Sequence, residues 1–358
     1  MRVLIVSNMY PTKKSPAFGT FVKNFADGLA QRRPGYRIDI VAVRGTTSSK
    51  WGKLCKYVGF YASLLCKLLF KKYDIVYVHT ITFPTPPLRI ASLFRDLNLM
   101  FNVHGVDVLT RTRLAARLKQ LCRPLVLKSH YIVVPSDYFK RVVAKEFLEL
   151  DRQKIIVSAS GGVSRAFFCQ ERQPSSSSIR IGYVSRIVQG KGWDTLLKAL
   201  KMLDDKDVDF EATIVGAGAE SVKLTETLAR NGFRNRVKYV GAIGHNRLPD
   251  FYKSIDLFIF PSENESESLG LVGLEAMATS VPVIGSDIGG IATYVEDGVN
   301  GFLFRPRDHE ELAERILRYM RMTEPERLGM MRAAYATATR YESSLVLDTL
   351  FDKIFPEK

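Results

Sequence analysis

Cysteine is scarce in this sequence, and its placement narrows the classes of protein to which the chain can belong. The four cysteines are widely spaced and form no C-x-x-C pair: Cys55, Cys66, Cys122 and Cys169. This spacing argues against a zinc site and against a disulfide framework, and it is typical of a reducing compartment. Long apolar runs are also lacking, because no segment reaches eighteen uninterrupted apolar residues. We therefore expect no membrane-spanning helix.

A cleavable leader is not expected either. The first ten residues, MRVLIVSNMY, contain a short apolar run but no A-x-A-like cleavage site. Such a run predicts a first buried strand rather than a signal peptide. Together with the cysteine pattern, it predicts a cytoplasmic protein.

Acidic residues are few in the first half of the chain. Up to Arg172 there are 29 Lys and Arg against 10 Asp and Glu, a net charge of +19, whereas the remainder has 23 against 27. The whole excess of +15 therefore comes from the first half. A positive field of this size attracts an anionic partner, such as nucleic acid or the phosphate-rich face of a membrane.

Short runs rich in Val and Ile alternate with helical stretches along the chain. This alternation is typical of parallel β-α-β units whose strands are buried on both faces. The runs cover 2–6, 37–43, 73–79, 99–105 and 131–136, then 179–185, 210–216, 236–241, 256–262 and 281–286. The polar break CQERQPSSSS (169–178) divides them, which predicts doubly wound α/β domains over 1–172 and 173–358. We expect the last helix to pack back on the first domain, and the ligand to bind at the carboxyl ends of the strands.

Residues 51–72 form a separate amphipathic pattern. At helical spacing, one stripe is apolar and the other side is rich in lysine. The apolar stripe contains Leu54, Tyr57, Val58, Tyr61, Leu64, Leu65 and Leu68, and the other side Lys53, Lys56, Ser63, Lys67 and Lys71. One interpretation is a helix packed on the first sheet with solvated lysines. The other is a helix that lies on an anionic membrane, and both hold if one edge of the stripe is left uncovered.

The segment ENESESLGLVGLEAMATSVPVIGSDIGG (263–290) concentrates acidic residues before an apolar helix pattern that begins around Gly270. A helix that starts at a strand's carboxyl end presents free N–H groups and a positive dipole end, which suits a phosphate. Glu275 lies about one turn inside and could bind a ribose diol, and Glu267 could hold hydroxyls of a group attached to the phosphate. Glu263 and Glu265 have no such placement and are predicted to be solvated loop acids.

A second motif, GYVSRIVQGKGWDTLLKAL (182–200), places cations in another strand-to-helix turn. Arg186 and Lys191 lie five positions apart, just before a helix that is predicted to be capped near Gly192. Two cations at a helix start suit a pyrophosphate.

These motifs, together with VEDGVNGFLF (295–304), resemble in order and spacing the nucleotide-sugar domain of retaining glycosyltransferases of family 4. Glu267 and Glu275 match the E-x7-E motif of that family. The resemblance covers nearly the whole chain and is most specific from about 179 to 305. It implies the GT-B fold, in which two Rossmann-like domains face each other across a cleft, the first binding the acceptor and the second the nucleotide sugar.

The resemblance also implies roles for residues of the second domain. Arg186 and Lys191 would neutralise the donor diphosphate, Glu267 would bind sugar hydroxyls, and Glu275 would hold the ribose. The backbone around sugar and phosphate would be that of Leu269, Gly270, Leu271 and Val272. Ile243 would lie beside the base.

In the first domain, SPAFGTFVKNFADGLA occupies the place of the family's glycine loop, so Gly19 would approach the diphosphate. VHGVD matches the family's His-Gly-x-Asp, so His104 would contact the donor sugar across the cleft. His79, a lone histidine at a strand end, is interpreted as structural. The chain departs from the family pattern at three positions: Phe18 in place of a glycine, Leu269 in place of the common aromatic residue, and Thr293 where a glutamate is frequent.

The implied reaction is a metal-independent hexosyl transfer from a nucleoside-diphosphate sugar to a hydroxyl, with no cofactor and with the anomeric configuration retained. A UDP-sugar is favoured and GDP-mannose is possible. The basic first half indicates a membrane-borne lipid-linked or polysaccharide acceptor and a peripheral location on an anionic membrane. The alternatives are a nucleotide-sugar epimerase or phosphorylase of the same fold, or a basic nucleic-acid-binding protein. The sequence has no RNP-like or zinc-finger motif, so we expect no nucleic acid partner.

Overall fold

The computed structural model describes residues 1–15, 18–47, 49–110, 112–169 and 178–355. They form two compact units, Met1–Gly161 with Val346–Lys358, and Gly162–Leu345. The boundary predicted at 172/173 lies outside the described residues, as does the polar break except for its first and last residue. The units divide earlier because the segment before the break is bonded to the second unit, where Val163 N–H donates to Tyr341 O and Cys169 N–H to Ala278 O.

The first unit alternates strands with helices, as the sequence predicts, and has one short strand at 155–157 that the predicted runs do not include. Its elements are β1 (Arg2–Tyr10), α1 (Thr20–Arg32), β2 (Arg37–Arg44), α2 (Lys50–Phe70), β3 (Ile75–His79), α3 (Thr85–Ala91), β4 (Leu99–Asn102), α4 (Arg113–Lys128), β5 (Tyr131–Val134), α5 (Asp137–Glu146) and β6 (Ile155–Val157).

The described strands of this unit form one parallel sheet in the order β2-β1-β3-β4-β5-β6. Successive side chains of β1 point to opposite faces, as the pleat requires. Leu4 and Val6 pack in the core on one face, and Val3 and Ile5 in the core on the other. Both faces are therefore apolar, which explains the nearly continuous Val/Ile runs of the sequence.

The second unit repeats the pattern and has a strand at 301–304 that the predicted runs do not include. Its elements are β7 (Ile179–Val184), α6 (Trp193–Asp205), β8 (Phe210–Val215), α7 (Ser221–Asn231), β9 (Val237–Tyr239), α8 (Leu248–Lys253), β10 (Leu257–Phe260), α9 (Leu271–Ala278), β11 (Val283–Ser286), β12 (Gly301–Phe304), α10 (His309–Arg321) and α11 (Glu324–Thr339), and a last helix, α12 (Ser343–Ile354), follows.

The second sheet has the order β12-β11-β10-β7-β8-β9, with all described pairs parallel. From β7 the chain first builds outward through β8 and β9, then returns to place β10 on the other side of β7. The strand order therefore reverses between β7 and β10. In doubly wound sheets, ligands bind at the carboxyl ends of the strands at such a reversal. The predicted α/β class with two doubly wound domains is confirmed.

The end of the chain belongs to the first unit. From α12 onward, Leu347, Phe351 and Phe355 pack with Phe25 of α1 in the core on one face of the first sheet. Arg33 and Asp352 form an ion pair of 2.7 Å beside this contact. The last helix therefore covers the same sheet face as α1.

Helix α2 packs on the first sheet through most of the predicted stripe, because Tyr57, Tyr61 and Leu65 pack against the same core as Leu64 and Leu68. Phe60, Leu64 and Leu68 are buried, whereas Leu54 and Val58, which belong to the predicted stripe, are 52% and 59% exposed. The packed face is therefore shifted away from Leu54 and Val58 toward Phe60, which was missing from the prediction. One edge of the apolar stripe remains uncovered.

The lysines of α2 are not all solvated. Lys56 Nζ donates to the carbonyl oxygens of Arg44, Gly45 and Thr46 at 2.8, 3.0 and 3.3 Å. Lys67 lies 3.6 Å from Asp39. Among the described residues, no helix combines the length and the apolar composition that crossing a bilayer would require.

Gly192, at the start of α6, provides a test of the close packing in the second unit. Its φ is +70°, and a Cβ there would lie 1.8 Å from the Pro261 carbonyl oxygen. We expect Gly192→Ala to lower the free energy of unfolding by several kcal/mol, because strain and overlap act together, each of them costing about 1–3 kcal/mol.

Gly329→Ala is the matched control, since Gly329 lies within α11 and a Cβ there meets no atom within 4 Å. That change should stabilise the protein by up to about 1 kcal/mol, because Ala is the better helix former. Urea unfolding followed by the fluorescence of buried Trp193 measures both. Equal stabilities of the two variants would contradict the close contact between Gly192 and Pro261.

Candidate functional site

The two motifs of the second unit follow neighbouring strands. Arg186 and Lys191 lie in the loop between β7 and α6, and Glu267 lies in the loop between β10 and α9. Strands β7 and β10 pair in parallel, with Phe258 opposite Gly182. Their carboxyl ends therefore bring both loops to the point where the strand order reverses.

Two hydrogen bonds to one backbone carbonyl oxygen hold these two loops together. Asn264 Nδ2 donates to the Gly190 carbonyl oxygen at 2.8 Å, and the Glu263 N–H donates to the same oxygen at 3.0 Å. The Gly192–Pro261 contact lies beside them. The two loops are therefore one connected structural element.

Across this element, Lys191 and Glu267 form an ion pair. Lys191 Nζ donates to Glu267 Oε2 at 2.5 Å, and the two side chains are only 16% and 14% exposed. The Ser262 hydroxyl donates to the same carboxylate oxygen at 3.1 Å. Arg186 lies nearby in sequence and is exposed. The structure therefore brings together a cation and an acid that the sequence places 76 residues apart.

Helix α9 begins where the motif predicts. Gly270 is its N-cap with φ +77°, and Leu271 and Val272 are its first two residues. N–H groups in the first turn have no acceptor inside the helix, so this end can bind an anion. The Tyr294 hydroxyl donates to the Gly270 carbonyl oxygen at 3.1 Å. Leu269, just before the cap, is buried, so its side chain supports the turn from within.

Glu275 is the fifth residue of α9 and is almost fully buried. Its Oε1 lies 3.2 Å from His245 Nε2, and its Oε2 accepts a hydrogen bond of 3.3 Å from the Tyr252 hydroxyl. The hydrogen bond to Glu275 raises the pKa of His245 above its usual value. Ile243, half-buried, lies two residues before His245 in the loop after β9. Sequence reasoning missed His245 and Tyr252, since neither belongs to a recognisable motif.

The prediction for Glu263 is wrong. Its side chain is 11% exposed, Oε2 accepts from Arg307 Nε at 2.9 Å, and Oε1 accepts from the Thr195 hydroxyl of α6 at 3.4 Å. The carboxylate is therefore a structural link between three segments rather than a solvated acid. Glu265, two residues on, is exposed as predicted.

In the first unit, Gly19 is the N-cap of α1 with φ +78°. A Cβ at this position would lie 2.6 Å from the Met9 carbonyl carbon at the end of β1. The glycine is therefore required for the close approach of helix and strand. Its predicted approach to a diphosphate stays a prediction, and Pro16 and Ala17 of the same loop lie outside the described residues.

His104, after β4, does not stand alone. Its Nε2 lies 3.2 Å from Nδ1 of His79 at the end of β3, and the two rings are nearly parallel, with centroids 5.5 Å apart. Burial lowers the pKa of His79 well below its usual value and that of His104 to about 4, so both rings are neutral near pH 7. His79 Nε2 is buried with no hydrogen-bond partner among the described residues. The strand order could have indicated this pair, because the ends of β3 and β4 are neighbours.

Asp107 holds the loops that carry this pair. Its Oδ1 accepts from the His104 N–H at 2.9 Å, and its Oδ2 from the Ile81 N–H at 3.2 Å. Burial raises the pKa of Asp107 to about 6, while these backbone hydrogen bonds oppose the shift. The aspartate of the VHGVD motif is therefore a clamp between the loops after β3 and β4.

No three His, Cys, Asp or Glu side chains cluster as metal ligands would in the part of the chain that the structure describes.

The contacts of Glu263 with Arg307 and Thr195 should contribute to stability. Glu263→Ala should destabilise the second unit by about 1–3 kcal/mol, because the Thr195 hydroxyl loses its acceptor and the loop its link to Arg307. Glu265→Ala, with the same change of charge in the same loop, should leave stability within about 0.5 kcal/mol. Thermal unfolding compares the midpoints of the two variants, followed by the fluorescence of Trp193. This residue lies on α6, two residues from Thr195. The same unfolding midpoint for both would contradict the role assigned to Glu263.

Two family models match the chain in consecutive segments. The model described as Glycosyltransferase Family 4 matches residues 18–161, and the model described as Glycosyl transferases group 1 matches residues 166–337. The matched segments follow the two units closely and together span most of the chain.

Curated relatives include two glycosyltransferases. D-inositol 3-phosphate glycosyltransferase of Streptomyces griseus is 33% identical over 172 residues, which cover 45% of this chain and 36% of that protein. Amylovoran biosynthesis glycosyltransferase AmsK of Erwinia amylovora is 26% identical over 219 residues, which cover 60% of this chain and 53% of that protein. The chain thus spans between about a third and about half of the length of these relatives.

Among solved structures, HepE of Anabaena in complex with UDP is similar over 99% of both chains, with a TM-score of 0.76 and 20% identity. At this identity the likeness concerns the fold alone. The two family models together show that the chain belongs to the family 4 glycosyltransferases, and the two six-stranded parallel sheets of the described residues, with this likeness, show the GT-B fold.

Proposed function

We propose that the protein is a retaining hexosyltransferase that moves a sugar from a nucleoside-diphosphate sugar to an acceptor hydroxyl. The observation that carries this proposal is the joined pair of loops after β7 and β10, where Lys191 and Glu267 meet beside the start of α9. Cations and a helix N-terminus suit a diphosphate, and an adjacent carboxylate suits sugar hydroxyls. A UDP-sugar is favoured, and the solved structures of HepE in complex with UDP and with UDP-glucose support that choice.

In the proposed reaction the acceptor oxygen attacks the anomeric carbon from the side on which the diphosphate leaves. The new C–O bond forms as the bond to the diphosphate oxygen breaks, and that oxygen takes the acceptor proton. Arg186, Lys191 and the N-terminus of α9 stabilise the departing charge. A well-placed group of this kind contributes about 3–4 kcal/mol to the transition state. Glu275 would bind the ribose next to Ile243.

Thermal shift and product analysis test the proposal. Nucleoside-diphosphate sugars should raise the unfolding temperature, oligonucleotides should not, and NMR of the product should show the donor's anomeric configuration. Inversion of that configuration would refute the retaining mechanism. Stabilisation by oligonucleotides alone would refute the enzymatic proposal altogether.

Replacement of Arg186 or Lys191 should lower turnover without unfolding the protein. Arg186→Ala and Lys191→Ala should each lower turnover about 10²-fold or more, as loss of comparable charge-stabilising groups does. Arg230→Ala, an exposed arginine in the last turn of α7, is the control and should keep full turnover. Steady-state rates with a saturating donor measure the effect, and wild-type turnover in the two site variants would remove this site from the mechanism.

Activity should persist in excess EDTA, because the proposed mechanism gives the role of a metal to Arg186, Lys191 and the start of α9. The Asp-x-Asp sequence at 207–209 precedes β8 and lies at the amino edge of the sheet, opposite the proposed site. Rates measured with and without EDTA, and with Mg²⁺ or Mn²⁺ added back, decide the point. Complete loss that only the metal restores would contradict the proposal.

A membrane-borne acceptor is the second part of the proposal, and helix α2 supports it. From Leu54 to Phe70 its exposed positions carry no charged side chain, and Trp51 at the start of the helix is exposed as well. At 1.5 Å per residue, this uncharged face is about 24 Å long. Lysines flank it at both ends: Lys50, Lys53, Lys71 and Lys72. An uncharged face between lysines, within the basic half of the chain, fits the interface of an anionic bilayer.

Vesicle binding tests this face directly. The triple change Trp51→Ser, Leu54→Ser and Val58→Ser should weaken binding to anionic vesicles roughly tenfold or more, since each apolar side chain contributes about 1.5–3 kcal/mol when buried. Lys53→Gln with Lys71→Gln should also weaken it, by about 1 kcal/mol for each lysine, and raised salt should do the same.

Lys56 and Lys67 are left unchanged because they are bonded within the first unit. Val222→Ser, an exposed valine in the second unit, is the control and should have no effect. Turnover on a soluble acceptor should survive in every variant. Co-sedimentation that is unaffected by the triple change would rule out α2 as the membrane-binding face.

A further inference from the structure

The ion pair of Lys191 and Glu267 affects which ligands the proposed diphosphate site binds tightly. This inference rests on the proposed function. The ammonium group that is proposed to bind the diphosphate has a carboxylate partner at 2.5 Å, and both side chains are largely buried. The diphosphate and Glu267 carry charge of the same sign. They therefore compete for Lys191.

The loops cannot relieve this competition by moving apart. Asn264 and the Glu263 N–H both bond to the Gly190 carbonyl oxygen, and Gly192 lies against Pro261. Because these contacts join the residues before and after Lys191 to the segment that precedes Glu267, Lys191 leaves Glu267 by reorienting its side chain. A diphosphate that binds Lys191 leaves the buried Glu267 carboxylate without its cation, and a buried charge that loses its partner is strongly destabilised.

The sugar of an intact donor offsets this loss. A carboxylate can accept about four hydrogen bonds, so Glu267 has room for sugar hydroxyls while it keeps the Ser262 hydroxyl. A nucleoside diphosphate without a sugar brings no such donors. The penalty at Glu267 therefore applies to the bare nucleotide and not to the nucleotide sugar.

We infer that the Lys191–Glu267 ion pair discriminates against the bare nucleoside diphosphate, so that Glu267 recaptures Lys191 once the sugar has been transferred and promotes release of the nucleotide product. Glu267 then has two functions in one cycle: it binds the sugar in the donor complex, and it competes with the diphosphate in the product complex.

Removal of the charge at Glu267 should strengthen product binding, whereas loss of an ordinary binding group would weaken it. Glu267→Gln should bind UDP, or GDP if the donor is a GDP-sugar, about tenfold more tightly than wild type, equivalent to about 1.4 kcal/mol. The affinity for the intact nucleotide sugar should be unchanged or lower. Glu265→Gln is the matched control, because it removes the same charge from the same loop at an exposed position, and it should stay within about twofold of wild type.

Isothermal titration with UDP and with GDP measures these affinities, and product inhibition of turnover should strengthen in parallel in Glu267→Gln. Unchanged or weaker nucleotide binding in Glu267→Gln would overturn the inference. The same gain in Glu265→Gln would also overturn it, because the effect would then be one of net charge.

A double-mutant cycle distinguishes failure of the inference from failure of the proposed function. Lys191→Met should weaken nucleotide binding, and Glu267→Gln added to it should give no further gain, since the two charges act through each other. The double variant also avoids leaving a buried carboxylate unpaired, so it should fold if Lys191→Met alone does not.

Nucleotide binding that Lys191→Met and the double variant leave unchanged would overturn the proposed function. Weakened binding in both, together with no gain in Glu267→Gln alone, would leave the proposed function intact and refute only the inference. Absence of UDP and GDP binding in both wild type and Glu267→Gln would contradict the proposed diphosphate site itself.

Discussion

The contact between Gly192 and Pro261 sets the geometry on which the candidate site of the second unit depends. No side chain fits at Gly192, because a Cβ would lie 1.8 Å from the Pro261 carbonyl oxygen. The start of α6 therefore lies directly against the end of β10. Lys191 precedes this contact by one residue, and Glu267 follows it by six, so the same approach that requires glycine brings the cation within hydrogen-bond distance of the acid.

This packing also explains why the loop acids differ from one another although they lie within five residues. Glu263 is directed back to Thr195 and Arg307, Glu265 to solvent, and Glu267 to Lys191. The first links the loop to its surroundings, and the third neutralises a cation proposed to bind the substrate. Their similar chemistry in the sequence conceals three different environments, and only the environment determines whether a carboxylate is structural, solvated or part of a site.

The first unit presents a comparable arrangement at the carboxyl ends of β3 and β4. The clamp by Asp107 joins the two loops, and the imidazoles of His79 and His104 lie within hydrogen-bond distance of each other. Burial keeps both rings neutral near pH 7, so they can exchange hydrogen bonds but carry no charge. In this unit the basic character therefore comes from lysine and arginine at the surface, and α2 adds an uncharged exposed face between its terminal lysines.

The sequence alone determined the α/β class, the described strands other than β6 and β12, the helix starts at Gly192 and Gly270, and the position of Glu275 inside α9, because periodicity, glycine caps and helical spacing are local properties. Only the tertiary structure decided which loops meet. The Lys191–Glu267 pair, the burial of Glu263 and the contact of His79 with His104 all join residues that are distant along the chain, through the order of strands in a sheet. The tertiary structure also decided which face of α2 is buried. An amphipathic pattern predicts that a helix has an apolar stripe. The sheet against which the helix packs determines which edge of that stripe is covered.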